Sequence, residues 1–173
     1  MSYFRDPKLN SDKNLQAYVI GLALGDGNLS NPNNRAVRLR ITCDKKYPLL
    51  IDRICDSLAK LLPENKISYF DKGNCIDISA YSKHFEKLLG WKAKGGLKFI
   101  QKFSIPKWIK QNSSFAIECL RGLLETDGSI YMDRGYRMAN FVTIIPSLSR
   151  DVSEIINNLG FKAHVYKIDQ KKN

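Results

Sequence analysis

The chain repeats itself. Leu15–Gly25 (LQAYVIGLALG) is apolar nearly all round and runs into Asp26-Gly27; Phe115–Thr126 (FAIECLRGLLET) reads as a second apolar helix and runs into Asp127-Gly128. When Asp26 is placed on Asp127, an offset of 101 residues, Gly21 falls on Gly122, Leu22 on Leu123, Gly27 on Gly128, Leu29 on Ile130 and Thr42 on Thr143. Gly25 falls on Thr126, another small residue. Self-similarity at a fixed offset marks one structural unit built twice. With 173 residues and 43% hydrophobic content, the two units are expected to share a single core.

A helix that is apolar all round belongs in an interior. Gly21 and Gly25 lie one turn apart on one face of the first helix, and Gly122 and Thr126 hold the same spacing on the second. Small residues at this spacing let two helix backbones approach closely, for steric reasons that hold in any solvent. Packing along those faces brings the two C-terminal ends together, and Asp26 and Asp127 with them. That placement is unfavourable by itself. A carboxylate at a helix C-terminus meets a partial negative charge, at a cost of about 0.3–1 kcal/mol. Two adjacent carboxylates also repel. A divalent cation converts both penalties into attraction, and hard oxygen ligands suit Mg²⁺. Near a phosphodiester, such an ion activates water and stabilises the leaving oxygen, so no histidine base is required.

The same order of elements follows each Asp-Gly. Arg35–Cys43 alternates strictly and predicts a strand, with Val37, Leu39 and Ile41 inward and Arg38, Arg40 and Thr42 outward. Pro48–Leu62 has helical spacing and stops at Pro63. Lys66–Phe70 and Cys75–Tyr81 predict a hairpin around Asp71–Asn74. Phe85–Leu89 reads as a short helix closed by Gly90. In the second half, Ser129–Met132 and Tyr136–Ile144 are expected strands joined by a turn at Arg134-Gly135. Leu148–Leu159 is an expected helix closed by Gly160, Phe161–Ile168 an expected strand, and Asp169–Asn173 a tail. Trp91–Asn112, rich in lysine and holding Gly95-Gly96 and Pro106, reads as a linker. The expected division is a first half over 1–90, a linker over 91–112 and a shortened second half over 113–173. The second half has no counterpart to the first half's last strand or to Phe85–Leu89.

A net charge of +11, from 28 Lys+Arg against 17 Asp+Glu, is the footprint of a polyanion binder. No apolar run of about 18 residues exists, so no membrane-spanning helix is expected. The polar start MSYFRDPKLNSDKN lacks the apolar stretch of a secretory signal. The expected location is intracellular: cytoplasm, nucleoid or organelle matrix. Cys43, Cys55, Cys75 and Cys119 form no C-x-x-C pair, and His84 and His164 are not spaced as zinc partners, so the cysteines are expected as buried small hydrophobes.

Val19–Gly27 (VIGLALGDG) and Leu120–Gly128 (LRGLLETDG) resemble the paired nonapeptides of the LAGLIDADG homing endonucleases, in the monomeric two-motif subclass. The resemblance extends over nearly the whole chain. It implies an α+β fold: two pseudo-symmetric αββαββα halves, antiparallel saddle-shaped sheets and a central two-helix interface formed by Gly21, Gly25, Gly122 and Thr126. It implies Asp26 and Asp127 as catalytic, metal-binding carboxylates, helped by the backbone carbonyls of Gly25 and Thr126. Mg²⁺ is the implied cofactor; Mn²⁺ or Ca²⁺ could take the same sites. A basic residue is also implied, with Lys45, Lys94, Lys98 and Lys102 as candidates and Lys98 favoured. The family often places a glutamine near the end of the second strand, where this chain has Cys43 and Ile144.

The implied partner is double-stranded DNA, bound by one chain acting as a monomer. Strand parity offers Arg38, Arg40, Thr42, Lys66, Ser68, Asp77, Ser79 and Tyr81 as contacts in the first half. The second half offers Ser129, Tyr131, Arg137, His164 and Tyr166, but Ala139 and Phe141 also take outward parity, which suggests a bulge. The implied activity is double-strand cleavage at a long asymmetric site, leaving short 3′ overhangs, in the service of intron or intein mobility. The alternatives are an RNA-splicing maturase and a transcription regulator on the same fold. A regulator has no need of both acids.

Overall fold

The computed structural model describes residues 7–168; the N-terminal six residues and the tail Asp169–Asn173 lie outside the described residues. Two long helices form the centre. Helix α1 (Lys13–Asp26) starts at Asp12, whose carboxylate accepts from the Asn14 and Leu15 amides at 2.9 and 3.3 Å. Every residue from Gln16 to Leu24 is buried. The second central helix, spanning Ser113–Asp127, starts at Asn112, whose side chain accepts from the Phe115 amide at 3.2 Å. Such caps satisfy amides that have no partner within the helix.

After α1 come β1 (Gly27–Ser30), β2 (Val37–Asp44), α2 (Pro48–Leu61), β3 (Ser68–Asp71), β4 (Cys75–Ser82) and α3 (Phe85–Leu89). The four strands are antiparallel in the order β1-β2-β4-β3. The inner face of β2 (Val37, Leu39, Ile41, Cys43) is buried against α1 and α3, while α2 turns Ile54, Leu58 and Leu61 inward. Gly90 ends α3 in the left-handed conformation, φ 85°, which a side chain would disfavour.

The segment expected as a linker is packed and partly structured. Trp91, Phe103, Ile105 and Ile109 are buried, and the segment carries a 3₁₀ turn (Lys98–Ile100) and the short helix α4 (Lys107–Lys110). The long helix Ser113–Asp127 is therefore α5. After it come β5 (Gly128–Asp133), β6 (Tyr136–Phe141) and α6 (Pro146–Asn158). The buried Asp151 of α6 accepts from the Ile105 amide at 2.7 Å and the Lys110 ammonium at 2.9 Å, fastening α6 to the connecting segment.

The second sheet has two strands where the first has four. Residues 161–168, expected as a strand, form none. The first half supplies the reason: β3, which follows α2 there as 161–168 follow α6, pairs with β4 and never with β2. Among the described residues no equivalent of β4 follows α6, and 161–168 pair with no strand. Ile130, Met132 and Ile144 are correspondingly exposed.

Register also removes the expected bulge. Gly27 pairs with Ile41 and Asn28 with Arg40; Gly128 pairs with Phe141 and Ser129 with Asn140. The first strands keep the 101-residue offset, but Arg40 and Asn140 stand 100 apart. The tighter second turn, with Gly135 at φ 86°, drops one residue. A one-residue slip exchanges the two faces of a strand. Ala139 and Phe141 thus share a face with Ile130, while Met138 and Asn140 join Ser129 and Tyr131.

Candidate active site at the helix ends

The two central helices touch backbone to backbone. A Cβ on Gly21 would sit 2.1 Å from the Cys119 carbonyl oxygen, and one on Gly122 would sit 2.4 Å from that of Tyr18. Neither neighbour can yield, because both belong to the facing helix. One turn on, a Cβ on Gly25 would meet Thr126 Oγ1 at 2.0 Å and lie 3.4 Å from the Asp127 carboxyl carbon. Thr126 fits because its hydroxyl donates back into α5, toward the carbonyls of Gly122 and Leu123 at 3.1 and 3.0 Å. All four predicted interface residues therefore lie at the crossing.

Gly27 follows the last residue of α1. Its φ is −77°, not left-handed. What requires glycine is space: a Cβ would meet the Ala23 carbonyl oxygen at 2.4 Å. Gly128 is likewise crowded by Leu124 at 2.6 Å. The chain turns straight from each helix into a strand, and the two aspartates sit at those corners.

Asp26 and Asp127 end the two helices close enough for the Asp127 charge to act on Asp26, and both residues remain exposed to solvent. Partial burial raises both above the ordinary value of 3.8. For Asp26 the Asp127 charge raises it further, and the Lys98 ammonium opposes the rise at both. Burial depresses Lys98, while the two carboxylates partly restore it. The Lys98 ammonium lies 2.6 Å from the Gly25 carbonyl oxygen and 2.7 Å from that of Leu24, with those of Ala23 and Gly27 at 3.3 Å. It caps the C-terminus of α1. Of the other lysine candidates, Lys45 pairs with Asp71 at 2.5 Å and Lys94 donates to Asn34 at 2.6 Å. Cys43 lies near Asp26: burial, then the Asp26 and Asp44 charges, push its thiol up to about 11. Cys119 is buried as well, Cys55 and Cys75 are half-buried, and all four are free thiols.

A cluster that the sequence reading missed braces this floor. Tyr18 donates to Glu125 Oε2 at 2.5 Å; Arg53 pairs with Glu125 Oε1, and Arg121 reaches the same oxygen at 3.2 Å. Burial and the bond to Glu125 push the Tyr18 hydroxyl well above its usual range. The signal in the sequence was the charged set Glu118, Arg121 and Glu125, spaced three and four residues apart along α5.

Above the helix ends, paired residues share sheet faces. On the first sheet Arg38 faces Tyr81, Arg40 faces Ser79, Thr42 faces Asp77, and Ser68 lies beyond Ser79. Asn28, Ser30 and Phe70, which parity alone did not single out, join this face through their partners Arg40, Arg38 and Asp77. Lys66 precedes β3 and is not on a strand. Asp77 is only 6% exposed. It accepts from Thr42 at 2.7 Å and pairs with Lys72 at 2.6 Å and Arg40 at 3.6 Å. Burial would raise its carboxyl, but these partners outweigh that and hold it below the usual carboxylate range. Asp77 thus orients its cationic neighbours. On the second sheet Ser129 and Tyr131 share a face with Asn140, Met138 and Tyr136. Arg137 pairs with Met132 and so points to the opposite face, contrary to the expectation. His164 and Tyr166 lie on no strand; their rings stack at 6.4 Å.

Among the described residues no group of three or more His, Cys, Asp or Glu side chains is placed to hold a metal ion, and no helix is long and apolar enough to cross a membrane. The donors at the helix ends are all oxygen: two carboxylates and backbone carbonyls, one of them already holding a cation, the Lys98 ammonium. That set suits a hard divalent ion which keeps several further oxygen ligands of its own.

Two central helices crossing through glycine, each delivering an aspartate beneath an antiparallel sheet, define a pseudo-symmetric two-motif protein of the LAGLIDADG fold. Residues 114–173 match the LAGLIDADG-like domain family. The chain is similar to a mesophilic variant of the homing endonuclease I-DmoI, with TM-score 0.67, 19% identity, 92% of this chain and 84% of that one covered. I-DmoI in complex with DNA and Mn gives TM-score 0.67 at 21% identity, over 92% and 85% of the two chains. The LAGLIDADG meganuclease I-AabMI bound to uncleaved DNA gives TM-score 0.50 at 11% identity, over 89% and 75%. A sequence relative, the DNA polymerase of Thermococcus hydrothermalis, is 28% identical over 151 residues, 82% of this chain. The chain spans 8% of that protein's length.

Proposed function

We propose that this chain is a site-specific, divalent-metal-dependent DNA endonuclease that cuts both strands of a long asymmetric site and leaves short 3′ overhangs. The observation that carries the reading is the pair of aspartates at the glycine-packed helix ends, in a chain of net charge +11. The neighbours of the same fold support it, since I-DmoI is solved with DNA together with Mn or Ca.

Asp26 and Asp127, with the carbonyls of Gly25 and Thr126, would hold Mg²⁺ through oxygen. The bound ion supplies an activated water and charge neutralisation at the scissile phosphate. Lys98 lies at the end of α1 on the carbonyls of Leu24 and Gly25, and the Tyr18–Glu125–Arg53 cluster fixes the end of α5. Arg38, Arg40, Thr42, Ser68, Ser79 and Tyr81, with Asn28 and Ser30, read one half-site; Ser129, Tyr131 and Asn140 read the other. The sequences of the two faces differ, so the two half-sites differ. The working units are residues 1–90 and 113–173, joined through 91–112.

Incubation of a randomised supercoiled plasmid library with Mg²⁺, followed by sequencing of the ends, tests the reading. We expect one enriched long site with staggered ends. Asp26→Asn and Asp127→Asn should each abolish double-strand cutting and leave DNA binding within a few-fold. Affinity should fall steeply with salt, because lysines and arginines displace counterions. No cutting by the unsubstituted chain, or binding lost as fully as cutting in both variants, would sink the proposal.

A further inference from the structure

Lys98 holds four backbone oxygens at the end of α1, and one of them is the Gly25 carbonyl, at 2.6 Å. Under the proposed function that oxygen is a metal ligand. In this structure it serves an ammonium. Both cations seek the same electronegative helix end, and a singly and a doubly charged ion on one carbonyl repel strongly in a half-buried site. The second motif differs: among the described residues no lysine makes the matching contact with Thr126.

We propose that Lys98 is the resident cation of the metal-free site, and that a divalent ion binding at Gly25 and Asp26 displaces its ammonium from the helix end. This rests on the metal-dependent reading above and adds to it a competition built into the connecting segment. Lys98 lies in the 3₁₀ turn outside both motif helices, so its departure needs only that turn to shift, while the glycine-packed helices stay in place.

The displacement has a built-in reporter. The ammonium lies 5.6 Å from the centre of the Trp91 ring, which is buried and packs on Phe103 at 5.2 Å. A cation leaving an indole face changes its surroundings. The chain has two tryptophans, so Trp108→Phe leaves Trp91 as the sole indole, excited selectively beyond the tyrosine band.

The experiment is a Mg²⁺ titration of the Trp108→Phe chain by emission and by calorimetry in parallel. We expect a saturable change in Trp91 emission whose midpoint coincides with the binding isotherm. With Lys98→Met added, binding should tighten several-fold and the emission change should vanish. A normal isotherm with silent Trp91, or Lys98→Met binding Mg²⁺ no tighter than the parent, overturns the displacement and leaves the endonuclease reading intact. No heat of binding in either chain, with or without target DNA, overturns the metal reading and the displacement together. Should either variant fail to fold, ¹⁵N spectra of lysine ammonium groups in the unsubstituted chain decide the matter. One exchange-protected signal should be present without Mg²⁺ and lost on its addition; persistence through saturation refutes the displacement.

Discussion

The first half closes its sheet with four strands and buries the inner face of β2; the second carries the same helix–strand–strand–helix order on two strands, with Ile130 and Met132 in solvent. Yet the helix crossing is tight from both sides: a Cβ added at Gly21 or Gly122 would come within 2.1 or 2.4 Å of a carbonyl oxygen of the facing helix. The repeat is thus strict where the two halves meet and loose where each half meets its surroundings. Packing at the crossing constrains every atom, whereas a sheet rim in contact with solvent is constrained less.

The largest effect should come from breaking the crossing. Gly21→Val and Gly122→Val should each cost about 3 kcal/mol or more of stability by chemical denaturation, since overpacking against an opposing backbone has no relief. If one variant is tolerated and the other is not, the two sides of the crossing are not equivalent.

The next effect is peculiar to the second half. Asp151→Ala removes the acceptor of the Ile105 amide and the Lys110 ammonium. It should cost about 1–3 kcal/mol, the penalty for stranding buried donors. Limited proteolysis should then cut 91–112 first. Cutting that begins in the first sheet would contradict α6 as the anchor of that segment.

DNA contacts sharpen the comparison further. Arg40→Ala should weaken binding by about 10-fold and relax the base preference at one position, as loss of one base-reading side chain does. Arg137→Ala should change affinity less than 3-fold, about 0.6 kcal/mol or less, because β6 turns Arg137 toward Met132 and away from the reading face. Equal losses in a filter-binding series would restore Arg137 to that face.

The smallest effect concerns the aspartates without metal. Their carboxyls are raised above 3.8, chiefly by burial. A raised folded value means that the contribution to stability is fully present below the unfolded value and is lost as pH rises through the folded one. In chelator, Asp26→Asn and Asp127→Asn should therefore melt slightly higher than the parent at pH 7, and the gap should close as pH falls below 3.8. Added Mg²⁺ should reverse the order by stabilising the parent alone. A parent that melts higher than both variants in chelator would show that the ionised pair is not a burden on the fold.

Much of the central architecture was legible in the sequence. Residues such as Gly21, Gly122 and the two Asp-Gly corners act locally, through helix periodicity and the absence of a Cβ, and these properties follow from sequence spacing. The outward face of β2 was legible for the same reason, as a period-two pattern with its apolar side buried. Lys98 stood out only slightly among four lysines, because its three-dimensional neighbours are carbonyls that carry no sequence signal. Asp77 read as a DNA contact because parity gives a face and not a partner; Lys72 and Thr42 claim its oxygens.

The sequence by itself determined that two apolar helices meet through small residues and carry aspartates to one end, since that follows from volume and charge along the chain. Tertiary structure alone decided which lysine caps α1, which way Arg137 points and whether 161–168 become a strand. Those outcomes depend on turn length, on strand register and on which ladder is present to pair with. They are relations between distant segments, and no spacing within one segment encodes them.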